Sequence, residues 1–181
     1  MNNKKLLISI FILIAVILIV LAIFFFQGFN KKPSNLEELE NSEVQNFLTG
    51  KIIQEKQTLA VYPESERISI QKGGSLQGFA FSVINNDKDS KDFKYKIEAD
   101  YKFDFSKCKN FSLQKANSYI QKDVQEFNLE KKGYLEKPIS VLFSVPSNAP
   151  SCEIPYKLLI HYKNGDTWYP YTSKIIYLEI K

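Results

Sequence analysis

Between Leu6 and Phe26 the chain runs for 21 residues with Ser9 as the only polar one. As a helix rising about 1.5 Å per residue, that stretch covers about 32 Å, close to the roughly 30 Å hydrocarbon core of a bilayer. A helix buried in a soluble domain nearly always carries charge over such a length, so the run predicts a single membrane span. It ends in Leu21-Ala22-Ile23-Phe24-Phe25-Phe26-Gln27, bulky throughout. A cleaved signal peptide has a shorter apolar region followed by small residues. No cysteine follows the run to carry a lipid. The expectation is an uncleaved anchor, with residues 1–29 forming a cytoplasmic stub and the span. Lys4 and Lys5 precede it, and Lys31 and Lys32 follow it. The N-terminal amine tips this balance toward a cytoplasmic N-terminus, which leaves the C-terminal part extracytoplasmic.

The net charge of +4 has the same origin. Setting aside the four lysines that flank the span, residues 33–181 hold 20 basic and 20 acidic residues. A nucleic-acid binder concentrates positive charge on its folded part, and this chain does not, so nucleic acid is excluded as a partner. The two cysteines, Cys108 and Cys152, belong to no CxxC pattern. A distant pair behind an export signal reads as a disulfide in an oxidising compartment, the alternative being two buried thiols.

After the span, residues 30–57 read as a linker with a short amphipathic helix. Ser34-Asn35-Leu36-Glu37 has capping-box spacing, Leu36, Leu39, Val44, Phe47 and Leu48 fall near helical intervals, and Gly50 is placed to end the helix. From about residue 51 the period becomes two. Phe93 to Phe105 alternates apolar or aromatic residues with charged ones without a break, the mark of a strand with one buried and one wet face. Shorter candidates are Leu59–Tyr62, Arg67–Gln71, Leu76–Ile84 after a turn at Gly73-Gly74, Val124–Leu129, and Ile139–Val145 stopped by Pro146. Ile154, Tyr156, Leu158, Ile160 and Tyr162 share one face of a further strand, which the Asn164-Gly165 turn returns along Thr167–Ile180. About seven strands at this spacing predict an all-β, antiparallel sandwich over residues 58–181.

The order of these segments resembles the immunoglobulin-like modules of prokaryotic and archaeal surface proteins, including CARDB-type repeats. It rests on a glycine-led strand ending Val83-Ile84-Asn85-Asn86-Asp87, then Ile139–Val145, then Pro146-Ser147-Asn148-Ala149-Pro150, and then the final hairpin. The resemblance implies a sandwich and no catalytic residues. Two departures stand out. The segment Asp104 to Ser118 is longer than such a module needs, and Cys108 and Cys152 do not occupy the usual inter-sheet positions.

The chemistry-bearing residues point away from catalysis. His161 is the single histidine; between Ile160 and Tyr162 it faces outward, without the further ligands a metal needs. Asp87-Lys-Asp-Ser-Lys-Asp92 lacks the glycine and terminal glutamate of a calcium loop. Lys72-Gly73-Gly74-Ser75 reads as a hairpin turn and not as a phosphate cradle. Glu98 and Asp100, the pair a glycan-active enzyme would need, lie among lysines on a wet face. No metal or other cofactor is implied. At the start of the last strand Tyr169 and Tyr171 alternate with Trp168 and Pro170; Trp168, Tyr169 and Tyr171 form the candidate binding surface, with cross-strand packing against Tyr162 and its neighbours as the competing role. Asn110-Phe111-Ser112 is a glycosylation sequon. These readings converge on a membrane-anchored, non-catalytic surface module with a protein or glycan partner; an accessory subunit of a membrane complex is the alternative.

Overall fold

A computed structural model of the chain describes residues 36–108, 111–121 and 124–181. The apolar run Leu6–Phe26, the capping-box residue Ser34 and the sequon residue Asn110 lie outside them. No helix among the described residues is long and apolar enough to cross a membrane. Pro33–Lys181 form one compact unit.

Among the described residues eight strands are present, one at each of the eight segments the alternation marks, although their spacing suggested about seven: β1 Leu59–Tyr62, β2 Arg67–Ile70, β3 Gln77–Val83, β4 Lys91–Ala99, β5 Val124–Leu129, β6 Ile139–Phe143, β7 Cys152–Asn164 and β8 Thr167–Ile180. They form two sheets, in the orders β1-β3-β6 and β2-β8-β7-β4-β5. The last, penultimate and fourth strands lie side by side in one sheet, and the third lies in the other, as in an immunoglobulin-like sandwich. The expected antiparallel pairing holds with one exception, because β2 runs parallel to β8. The Gly73-Gly74 turn is therefore not a hairpin. It carries the chain from the sheet of β2 to the sheet of β3, with Gly73 at φ 65°, a left-handed value that suits glycine.

Alternation explains the core. Phe93, Tyr95, Ile97 and Ala99 of β4 and Ile154, Tyr156, Leu158 and Ile160 of β7 are buried. They meet Phe79, Phe81 and Val83 of β3 and Val141 and Phe143 of β6 in one cluster. The rings of Phe81 and Tyr95 cross edge to face at 5.2 Å, and those of Phe143 and Tyr156 lie 4.8 Å apart. Strand β3 is buried on both faces: large Phe79, Phe81 and Val83 point inward, while small Gly78, Ala80 and Ser82 alternate with them. The small face is covered by a helix. After α1 (Leu36–Leu39), Asn41 caps α2 (Ser42–Ile53), accepting from the Val44 amide at 2.9 Å. Leu39, Val44, Leu48 and Ile52 pack with Ala60 and Ala80. The helix expected within a linker thus seals the outer face of the three-stranded sheet. It also runs through Gly50, where it was expected to stop.

Strand β4 ends at Ala99, although its alternation continues to Phe105. Asp100 breaks it: its carboxylate accepts from the Lys102 amide at 3.0 Å, and its carbonyl accepts from the Phe103 amide at 3.0 Å. The long connection that follows holds a 3-10 turn (Phe105–Lys107) and helix α3 (Leu113–Asn117). Phe105, Phe111 and Tyr119 pack in series, and the Tyr156 hydroxyl donates to the Ala116 carbonyl at 2.8 Å. Cys108 and Cys152 are disulfide-bonded with Cα atoms 5.7 Å apart, tying this connection to the start of β7.

Candidate functional site

The β7–β8 hairpin presents the aromatic sequence at one end of the sandwich. Asn164 pairs with Thr167, leaving Gly165 and Asp166 as a two-residue loop, and Gly165 takes the φ of 59° that such a tight return requires. That register sets the neighbours: Lys163 faces Trp168, Tyr162 faces Tyr169 and His161 faces Pro170. A register shift then follows, with Ile160 opposite Thr172, so Tyr171 is the extra residue of a bulge.

The aromatics consequently separate into three environments. Trp168 is half-buried on the outer face of the five-stranded sheet. The Lys94 ammonium lies 4.4 Å from its ring centre and that of Lys163 6.0 Å away. Each such contact contributes about 0.5–1 kcal/mol at an exposed site. Tyr169 is on the opposite face, 43% exposed, with its ring stacked on Tyr162 at 5.7 Å. The ammonium of Lys91 lies 4.4 Å from the Tyr162 ring. Tyr171 turns inward. Its ring meets Phe93 edge to face at 5.2 Å, and its hydroxyl donates to the Ile84 carbonyl at 2.9 Å while accepting from the Asn86 amide at 3.0 Å. Tyr171 therefore fastens the β3–β4 connection; the open ring surface belongs to Trp168 and Tyr169.

The other candidates fall apart from this surface and from one another. His161 does face outward. Burial, and then Lys94 and Lys96, hold its imidazole below the usual range, and its Nδ1 has no partner. Glu98 pairs with Lys96 at 2.5 Å, whereas Asp100 belongs to the turn after β4, so the two do not form a carboxylate pair. Asp87 pairs with Lys91 at 2.5 Å, and the hydrogen bond to that ammonium holds its carboxyl below its ordinary value. Asp92 accepts from the Asn128 amide group at 2.8 Å. Among the described residues, no three of His, Cys, Asp and Glu converge as a metal site.

Tyr162 is the cross-strand packing partner that the sequence suggests for these aromatics, and it stacks on Tyr169; sequence reasoning missed Lys94 and Lys163. Lys163 follows from the two-residue turn once it is taken to set the register. Lys94 does not, since its place beside His161 depends on the β4–β7 pairing across more than sixty residues.

No protein-family model and no curated protein sequence matches the chain. Among solved structures, a C. elegans MSP family member, WR4, is similar with a TM-score of 0.41 and 9% identity over 69% of this chain and 99% of that one. The E. coli chaperone DraB has a TM-score of 0.39 and 13% identity over 68% of this chain, which spans about half, 54%, of DraB. The ASH/PapD-like domain 7 of human CEP192 has a TM-score of 0.36 and 10% identity, covering 68% and 84% of the two chains. The class of the domain, an immunoglobulin-like β-sandwich, rests on its own strand order and core.

Proposed function

We propose that this chain is a non-catalytic binding module, held at the extracytoplasmic face of a membrane by Leu6–Phe26, with the tip of the β7–β8 hairpin as its contact surface for a protein or glycan. The observation that carries the reading is the splitting of Trp168 and Tyr169 onto opposite faces of one register-locked hairpin. Each has ring surface open and a lysine at an aromatic ring beside it. A stiff strand pair holds such groups in place before a partner arrives, which lowers the ordering cost of binding. Aromatics flanked by cations serve as interface anchors and as stacking platforms for sugars.

Tyr169→Ala and Trp168→Ala test this in the full chain, isolated in mild detergent with its partners identified by mass spectrometry and its glycan binding read on an array. Loss of one partner or glycan in both variants, with an unchanged melting temperature, supports the reading. Unfolding of both variants would assign the rings to packing instead. A set of co-purifying membrane subunits retained by both variants would favour the accessory-subunit alternative.

A further inference from the structure

A sheet ends in strands whose outer backbone groups lack a partner, and folded proteins guard such edges with short strands, lysines, prolines, bulges or a covering segment. Three of the four edges here are guarded. Strands β1 and β2 have four residues each; Pro63 follows the first and Arg67 opens the second. Along β6, Ile120 bridges Phe143, the Gln121 amide donates to the Leu142 carbonyl at 3.0 Å, and the Ser144 amide donates to the Tyr119 carbonyl at 2.8 Å.

Strand β5 is the exception. It lies last in the five-stranded sheet, and among the described residues no strand pairs with its far side. Its six residues, Val-Gln-Glu-Phe-Asn-Leu, include no proline, glycine or lysine, and its register with β4 runs from Val124 to Leu129 without a shift. Val124 is 44% exposed. Phe127 is half-buried, its ring stacked on that of Phe93 at 5.9 Å and 13°. A strand added at this edge would extend an aromatic row that β4 and β5 begin.

The sequence of β5 suits a second copy of itself. An antiparallel, two-fold pairing that keeps inner faces with inner faces must be centred on a residue, because a slip of one position turns every side chain to the other face. Centring on Glu126 or on Phe127 pairs five residues of each strand, and other centres pair three or fewer. Centring on Glu126 sets that carboxylate against itself, which is unfavourable. Centring on Phe127 brings the two phenylalanine rings together, sets Gln125 against Leu129, and sets Glu126 against Asn128. The Asn128 amide group gives one proton to Asp92 and has a second for the Glu126 carboxylate.

We infer that two copies of this chain associate through β5, in antiparallel pairing centred on Phe127, so that their five-stranded sheets become one. The β7–β8 hairpin lies on the other side of β4 and keeps its own surface.

Two measurements on the full chain in mild detergent test this. The first oxidises variants carrying one added cysteine and reads the dimer on a non-reducing gel. In this pairing the two Cα atoms at position 127 lie within about 5.5 Å, inside disulfide reach, and those at position 125 lie roughly 14 Å apart. Phe127→Cys should therefore cross-link and Gln125→Cys should not. Phe127→Cys also removes packing against Phe93, so the second measurement uses the exposed Asn128. Asn128→Asp sets a carboxylate against Glu126 of the other copy at two symmetric places, and Asn128→Lys sets an ammonium there. Sedimentation should give dissociation constants about tenfold apart, weaker for Asn128→Asp, with the gap narrowing at high salt. A chain that is monomeric at every concentration overturns the inference, as does cross-linking at 125 in place of 127. Equal dissociation constants for the two Asn128 variants also overturn it, by placing the contact between copies elsewhere.

Discussion

Asn85 shows how one buried amide organises an end of the sandwich. It is fully buried, and its side-chain nitrogen reaches the carbonyls of Asp89, Leu129 and Glu130 at 2.8, 3.2 and 3.1 Å, while its oxygen accepts from the Asp87 amide at 3.0 Å. These bonds join the β3–β4 connection to the end of β5, next to the point where Tyr171 holds Ile84. Asn85→Ala removes the donor shared by one buried and two partly buried carbonyls and leaves a hole in a fully buried position, so we expect a loss of about 2–3 kcal/mol, a fall of roughly 5–10 °C in melting temperature for a domain of this size. Asn85→Asp should be no better, because it keeps the shape but removes the donors and buries a charge; a wild-type melting curve for either variant would refute the role. His161 gives a pH-dependent expectation. Its folded-state pKa lies below the ordinary 6.5, chiefly through burial, with Lys94 and Lys96 adding to the effect and Glu98 opposing it. The unfolded chain therefore takes up the proton first as pH falls, and this group's contribution turns against folding below about 6.5. His161→Gln should gain stability relative to the parent below that pH and show no pH-dependent gain above it. Denaturant titrations at several pH values would reveal the crossover, and parallel curves would disprove it.

At the scale of elements, the helix α2 and the long connection after β4 are the parts added to the eight strands. Leu48 is fully buried between α2 and the three-stranded sheet. Leu48→Ala should cost about 2–5 kcal/mol, whereas a helix that merely spaced the domain from its anchor would tolerate the change. The Cys108–Cys152 bridge closes a loop with a sequence separation of 44, for which the chain-entropy estimate gives about 4 kcal/mol. The double Cys→Ala variant should lose a large part of that in urea unfolding, and equal stability would mean that the packed aromatics alone hold the connection. Much of this architecture was legible. The alternation of Phe93–Ala99 and of Ile154–Tyr162 gave strands with the correct inner faces, because a half-buried strand writes its environment into its own sequence. Pairing partners were not legible in the same way. Nothing local in Arg67–Ile70 says that it lies parallel to Tyr177–Ile180, and Gly73-Gly74 looks the same in a hairpin as between sheets. The end of β4 escaped notice because the apolar period continues past Asp100, where the Phe103 and Phe105 rings pack on the loop instead. The site divided likewise: Trp168 and Tyr169 were identifiable as aromatics that one face cannot bury, but the inward bond of Tyr171 to Ile84 depends on a bulge that period-two reasoning does not contain.

For the molecule as a whole, the decisive question is whether Leu6–Phe26 stays in the mature protein. The neutral charge balance of residues 33–181, set against the four lysines that flank the apolar run, fits a chain whose positive charges border a bilayer while its folded part meets water. The run is long enough to span and ends in three phenylalanines, where a signal peptidase needs small side chains. A disulfide in the folded part fits export to an oxidising compartment. We therefore expect intact-mass measurement and N-terminal sequencing of protein taken from membranes to find a chain that still contains Leu6–Phe26. Added protease should digest the Pro33–Lys181 unit from the outer side of intact cells and spare the residues before the span. A mature chain beginning after Phe26 would refute the anchor. Protection of the whole unit in intact cells but not in lysed ones would instead reverse the orientation, placing the sandwich and its hairpin aromatics on the cytoplasmic side.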